Sequence, residues 1–401
     1  MVNRMAEKRF HGVRVTENTD LVTAINDVDS SVIGIVAVAD DADTGQFPLN
    51  KPVLITRVSS VLGKAAGTLY KALKAISDQV STRVIVVRVE AAKEGAENKT
   101  QDQLVIGTTE EDGSYSGMQA LLVAEQMEGI GCRPRILAAP GLESDAVTAA
   151  LVTVAGKMRA FAYSGCPGCT KPSDAIAFRK KISGREIMLL WPDFIAFNPV
   201  SGKNETFPAA AYACGLRARL DHEQGWHRSL SNMPVKNVLG VSASVSWSLQ
   251  DENSDANTLN NSEVTTLIHQ GDGSFRFWGN RTPETAEYIF EVYTRTAQQL
   301  ADTIAEAQLQ IVDSPLTPAN AKDAVSAIKA KLDALVTAGK LIGAECWFDI
   351  IDNGNNTTSL RQGIVRIRYK YTPVPPMECM ELYQTFTDEF FGSAFASLGG
   401  S

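Results

Sequence analysis

Residues 32–39 read VIGIVAVA. The run has no polar residue at alternate positions, so it reads as a strand covered on both faces, as a parallel sheet requires. Such a strand needs helices on either side, and the sequence around it supplies them. Leu69, Leu73, Ile76 and Val80 recur at helical spacing and lead directly into Val84-Ile85-Val86-Val87. The step recurs downstream. Ile136 to Ala139 is strand-like and passes through Pro140-Gly141 into a helix striped by Val147, Leu151, Val154 and Met158. A strand near Arg159 to Tyr163, a helix near Ser173 to Lys181, a strand at Glu186 to Trp191 and a closing helix at Asn204 to Gly225 follow. This alternation predicts a doubly wound α/β domain over residues 26–235.

The segment NMPVKN, which ends at Asn237, carries the turn residues of a domain boundary, and a different pattern begins after it. VTTLIHQ and SFRFWG flank Gly271-Asp272-Gly273, which is hairpin chemistry because glycine adopts positive φ without penalty. Thr282-Pro283-Glu284 has the residues of a helix start, ahead of a stripe at Ile289, Tyr293, Thr296, Leu300 and Ile304. Thr317-Pro318 begins a second helix bearing Val325, Ile328, Leu332 and Leu335. Two half-buried strands come next. Cys346, Phe348 and Ile350 alternate with Glu345, Trp347 and Asp349, and Val365, Ile367, Tyr369 and Tyr371 alternate with Arg366, Arg368 and Lys370. Residues 236–375 thus form an α+β domain. Residues 1–25 are polar, with one alternating stretch at Phe10, Val13 and Val15, and read as an arm. Residues 376–401 form a second arm after Pro373, Pro375 and Pro376, which cannot continue a ladder. There Met380, Leu382, Phe386 and Phe390 line one side of an extended strand, and a short amphipathic helix fits nearly as well.

At 401 residues the chain exceeds the usual size of one core, and two domains are expected. A composition 44% hydrophobic and 21% charged is that of ordinary globular protein. The net charge of -8 argues against a nucleic-acid partner, since phosphate binding needs clustered Lys and Arg. No apolar run approaches the roughly 20 residues of a membrane span, and MVNRMAEKRF lacks the apolar core of a signal peptide, so a cytoplasmic protein is expected. The six cysteines, at 132, 166, 169, 214, 346 and 379, form no disulfide framework.

Catalytic signatures are missing. The Gly-Lys pairs at 63, 156, 202 and 339 are not followed by Ser or Thr, so none is a phosphate-cradling loop. Gly129-Ile130-Gly131 follows no strand and lacks the third glycine of a dinucleotide fingerprint. Asp221-His222 with Ser229 nearby reads as a helix end and its loop in preference to a triad. Cys166-Pro167-Gly168-Cys169 has the spacing of a redox motif, but without a second pair it lacks a zinc set, and a turn holding two thiols is the simpler reading. Arg366, Arg368 and Lys370 offer a surface for an acidic partner, or else ion-pair across strands with Glu345 and Asp349. No catalytic residue, metal or cofactor is expected.

In order and spacing these segments resemble one known family. FHGVRVTE is followed by VDSSVIGIVAVADDAD, FPLNKPVLIT and GTLYKALKAISDQ running into VIVVRV. RPRILAAPGLES, REIMLLWPDF, GWHRSLSN before VLGV, and LNNSEVTTLI with FRFWGNRT come next, and IVRIRYKYTPVPPMECMELYQTF closes the series. The resemblance is to the contractile tail sheath proteins of myophages, with relatives in R-type bacteriocins, and it covers almost the whole chain. It implies a structural subunit that polymerises helically around a tail tube in a metastable extended state. A baseplate trigger then makes it contract and drive the tube through the host envelope. It implies an outer α/β domain, an inner tube-facing α+β domain bearing Arg366, Arg368 and Lys370, and arms that add strands to neighbouring copies. The implied partners are the chain itself, the tube protein, and baseplate and terminator proteins, with assembly in the host cytoplasm and residence in the virion tail. CPGC is outside what the resemblance explains.

Overall fold

The run at 32–39 forms β1 (Ile33–Val38). In the computed structural model, which describes residues 25, 27–63, 67–93, 95, 99–109, 113–350 and 354–396, β1 lies inside a nine-stranded sheet. Its alternate side chains enter two cores: Ile33, Ile35 and Ala37 face one, Val32 and Val36 the other. That is why no position in the run can be polar.

The chain continues through β2 (Pro52–Ile55), α1 (Gly67–Gln79), β3 (Val84–Val89), α2 (Gln101–Ile106), a 3-10 segment at Gly117–Gln126, β4 (Ile136–Ala138), α3 (Asp145–Met158) and β5 (Phe161–Gly165). It then forms α4 (Pro172–Arg179), β6 (Ile187–Leu190), β7 (Phe194–Asn198), β8 (Lys203–Phe207), α5 (Ala209–Glu223), β9 (Pro234–Val235), β10 (Gly240–Val241) and α6 (Asp255–Asn260). After β11 (Val264–His269) and β12 (Phe275–Trp278) come α7 (Glu291–Gln308), α8 (Pro318–Thr337), β13 (Leu341–Phe348), α9 (Thr357–Arg361), β14 (Ile367–Pro373) and α10 (Phe390–Ala396). The large sheet has the order β2-β3-β1-β4-β5-β6-β11-β12-β9. Pairing is parallel from β3 through β1, β4, β5 and β6 to β11, and antiparallel at the flanks. From β1 the order runs out one way to β3 and the other way to β4, so the sheet is doubly wound. One core holds α1 and α5, and the other holds α3 and the 3-10 segment. The two helices of the first core cross where Gly215 sits, since a Cβ there would lie 3.0 Å from the Ile76 Cα.

Two units separate by contacts. The larger comprises Asp29–Leu300 and the chain from Pro373 onward, and the smaller comprises Ala301–Thr372 with the described residues up to Val28. In the smaller unit α8 packs on β13 through Ile328, Leu332 and Leu335 with Leu341. Lys331 reaches Asp27 at 2.9 Å. Thr317 caps α8 from the residue expected, accepting the Asn320 amide, with Pro318 at the first position.

Some expectations move. The boundary placed between residues 235 and 236 falls inside the larger unit. Val235 is paired to β12, and Lys236 exchanges backbone hydrogen bonds with the buried Gln79 side chain of α1, so NMPVKN is a turn within a domain. β11 and β12 then extend the main sheet. The helix expected at Thr282 begins at Glu291. The hydroxyl of Thr282 donates to Tyr288 O and accepts from Glu284 N, closing a loop ahead of the helix. The closing helix read from Asn204 starts at Ala209 after β8.

Candidate functional site

After β14 the chain runs from residue 374 to 388 without helix or strand pairing, stiffened at its start by Pro375 and Pro376. Met380, Tyr383 and Phe390 are exposed, Leu382 is 83% exposed and Phe386 90%. Burying each such side chain on a partner is worth about 1.5–3 kcal/mol, so the segment carries a substantial apolar driving force that the isolated chain leaves unused. α10 adds Phe390, Phe391 and Phe395, with the last two stacked at 6.3 Å. The root of this segment is held within the larger unit. Arg281 Nε and Nη2 donate to the Glu378 carboxylate at 3.0 and 2.6 Å. Of the other expected arm, Phe10, Val13 and Val15 lie outside the described residues.

In the smaller unit β13 and β14 form a two-stranded sheet, and among the described residues no further strand pairs with either. Glu345 meets Lys370 at 2.9 Å while Asp349 N donates to Arg366 O at 3.1 Å, a crossed order that marks the pair as antiparallel. The basic residues are engaged in this sheet. Arg368 Nε lies 2.6 Å from the buried Asp349, Lys370 pairs with Glu345, and Arg366 Nη1 donates to Gly354 O at 3.2 Å. Glu345 and Lys370 are both largely exposed, so that pair contributes under about 1 kcal/mol.

At the carboxyl ends of β4, β5 and β6, where an α/β enzyme would hold its ligand, the chain places carboxyl and thiol groups of its own. Burial raises the Glu143 carboxyl to about 7, and the nearby Asp193 adds to the rise while the N–H groups of Glu143, Gly165 and Gly141 oppose it. Burial also raises Asp193, against the hydrogen bond its Oδ1 accepts from Ala209 N at 2.8 Å at the start of α5. Cys166 lies beside this group and Cys169 nearer Asp174, both as free thiols, and burial pushes both upward, Cys166 strongly. A reactive CxxC needs the reverse shift. Among the described residues there is no cluster of three His, Cys, Asp or Glu side chains able to hold a metal. Nor do Asp221, His222 and Ser229 meet. Asp221 binds Arg217 and Arg295, His222 Nε2 lies 3.1 Å from Ser31 Oγ, and Ser229 bonds Asn280.

Sequence reasoning missed a buried charge network. Arg217 on α5 pairs with Asp221 at 2.8 Å and with Glu291 of α7 at 3.4 Å, while Arg295 bonds Asp221 and Tyr163 bonds Glu291. Burial disfavours the charge on Arg217, but Asp221 and Glu291 more than offset this. The available signal was Arg217 and Asp221 four residues apart in α5, after its alanine-rich apolar first half.

Known proteins align with the chain end to end. It is 64% identical over 399 residues to the major tail sheath protein of Serratia phage KSP20, covering 99% of this chain and 100% of the relative. The chain belongs to the phage tail sheath family. The tail sheath protein of Escherichia phage P2 is 45% identical, covering 98% of this chain and 99% of that one. By domain, residues 33–89 match the tail sheath protein Gp18 domain III N-terminal region, 113–283 the phage tail sheath protein central domain, and 284–387 the phage tail sheath C-terminal domain. The fold matches the helical sheath of the anti-feeding prophage in its contracted state, with TM-score 0.68, 17% identity and 94% and 98% of the two chains covered. It also matches the contracted sheath complex of an extracellular contractile injection system, with TM-score 0.69, 14% identity and 96% and 99% covered. The protein is thus a phage tail sheath protein with a mixed α/β fold like that of solved sheaths, and its place is the phage tail. Its exposed C-terminal segment lies mostly within the matched C-terminal domain, which runs to residue 387.

Proposed function

We propose that this sheath subunit does no chemistry and works by joining copies of itself through its ends. Assembled in the host cytoplasm, it polymerises helically around the tail tube, with the baseplate at one end and a terminator protein at the other. The array stores a metastable extended state, and a baseplate trigger releases it into better interfaces, driving the tube through the host envelope. In this reading the larger unit is outer and the smaller unit is inner, with the face bearing Arg366, Arg368 and Lys370 toward the tube. Residues 376–401 add a strand to a neighbouring copy, and the arm containing Phe10, Val13 and Val15 does likewise.

One observation carries the reading: Met380, Leu382 and Phe386 are presented to solvent on a segment with no pairing of its own, and Phe390 is exposed at the start of the helix α10 that follows. Backbone hydrogen bonds give strand addition its affinity, and alternate side chains select its register. A subunit that donates at one place and receives at another makes a heterologous contact, which builds an open filament when the rotation does not close. The two-stranded sheet of β13 and β14, too small to be stable alone, is a suitable acceptor. Ending the chain after Pro376 is expected to leave a folded protein, by melting and circular dichroism, that forms no sheath by negative-stain microscopy. Sheaths of normal length from the truncated chain would refute the reading.

A further inference from the structure

We propose that the Arg281–Glu378 ion pair is a positioning latch that fixes where the C-terminal arm leaves the larger unit, and so sets the register in which the arm meets a second copy of this chain. The inference rests on the arm reading above and adds the device that aims the arm. Arg281 stands on a fixed base. Its backbone bridges to Phe290, Thr282 N donates to Ile289 O at 2.9 Å, and Glu291 N donates to Asn280 O at 3.0 Å. Its guanidinium carbon lies 5.4 Å from the centre of the Phe290 ring. From that base Nε reaches Glu378 Oε1 at 3.0 Å and Oε2 at 3.2 Å, and Nη2 reaches Oε2 at 2.6 Å. Such a two-pronged contact from a planar fork specifies a direction as well as a distance, which a lysine would not do. The other acidic side chain whose field acts on Arg281, Glu263, is itself engaged by Arg179 at 2.9 Å.

The chain approaching the latch is also constrained. Pro373, Pro375 and Pro376 fix three φ angles in the five residues before Glu378. Exposed apolar side chains flank Glu378, with Met377 just before it and Met380 and Leu382 just after. From Cys379 to Phe386 an extended chain spans about 26 Å, so the acceptor on the next copy must lie within that reach of the latch. Releasing the root lengthens the free segment and lowers its effective concentration at the acceptor. The two side chains are partly exposed, at 38% and 31%, so the pair contributes little to the stability of one subunit. Its effect is on aim.

Charge reversal separates the roles. Full-length Arg281→Glu, Glu378→Arg and the double variant are purified unassembled, melted, and induced to polymerise, with tube formation followed by light scattering and electron microscopy. All three are expected to melt as the wild type does. Each single reversal is expected to slow tube formation by about twofold, and the double reversal to recover it. Should a reversal fail to fold, Glu378→Gln, which leaves Arg281 in place, reads the same loss. Single variants that polymerise at the wild-type rate, or a double variant that recovers nothing, overturn the latch. If the chain ended after Pro376 also polymerises, the arm reading itself is wrong. If only that truncation fails while the reversals assemble normally, the latch alone falls.

Discussion

Replacing Glu143 by Gln tests the physics at the carboxyl end of the sheet. Enclosed beside Asp193, the Glu143 carboxyl is raised from 4.5 to about 7, with burial the first cause. The unfolded chain ionises near 4.5 and the folded one near 7, so between those values unfolding releases a proton. Stability contributed by the neutral acid is complete below pH 4.5, declines as pH rises and is gone once the folded group has ionised, above about 7. At about 1.4 kcal/mol per pH unit, the loss from this group is about 3 kcal/mol. Glutamine keeps an oxygen for the N–H groups of Gly141 and Gly165 but cannot ionise. Urea midpoints of unassembled protein at pH 5, 6, 7 and 8 are the assay. The variant should gain about 2–3 kcal/mol on the wild type between pH 5 and 8. Asp193, also raised by burial, titrates in both proteins and cancels from the difference. A gap between variant and wild type that does not change with pH would refute the reasoning.

Other consequences are more local. Arg295→Ala strips a partner from the buried Asp221 and should cost about 3–5 kcal/mol in urea unfolding. Lys370→Ala removes one member of an exposed pair and should cost under about 1 kcal/mol by the same measurement. Because burial raises both thiols of CPGC, Cys166→Ser with Cys169→Ser should polymerise at the wild-type rate with or without reductant, as read by light scattering.

Where local chemistry and tertiary structure agree, the sequence is a good guide. The uninterrupted apolar run at β1 reports two covered faces, and Thr317-Pro318 marks the start of α8 because cap and first turn are satisfied within four residues. Thr282-Pro283-Glu284 offers the same residue types, yet its hydroxyl bonds Tyr288 O, a partner fixed by the fold. NMPVKN misleads for a related reason. Its turn residues are real, but Gln79, far away in sequence, ties the turn back to α1. The apolar side chains Met380, Leu382 and Phe386 after the run of prolines are plain in the sequence, while the contact between Arg281 and Glu378 is not. Nothing in the spacing of Arg281 and Glu378 signals that they meet.

The account stands or falls on whether the C-terminal segment is free in one subunit and ordered between subunits. Amide hydrogen exchange of residues 379–388, measured on unassembled protein and on assembled sheath, reads this directly. The account predicts exchange near the unstructured rate before assembly and strong protection in the sheath. Rapid exchange in both forms, or protection already present in the lone subunit, would contradict it.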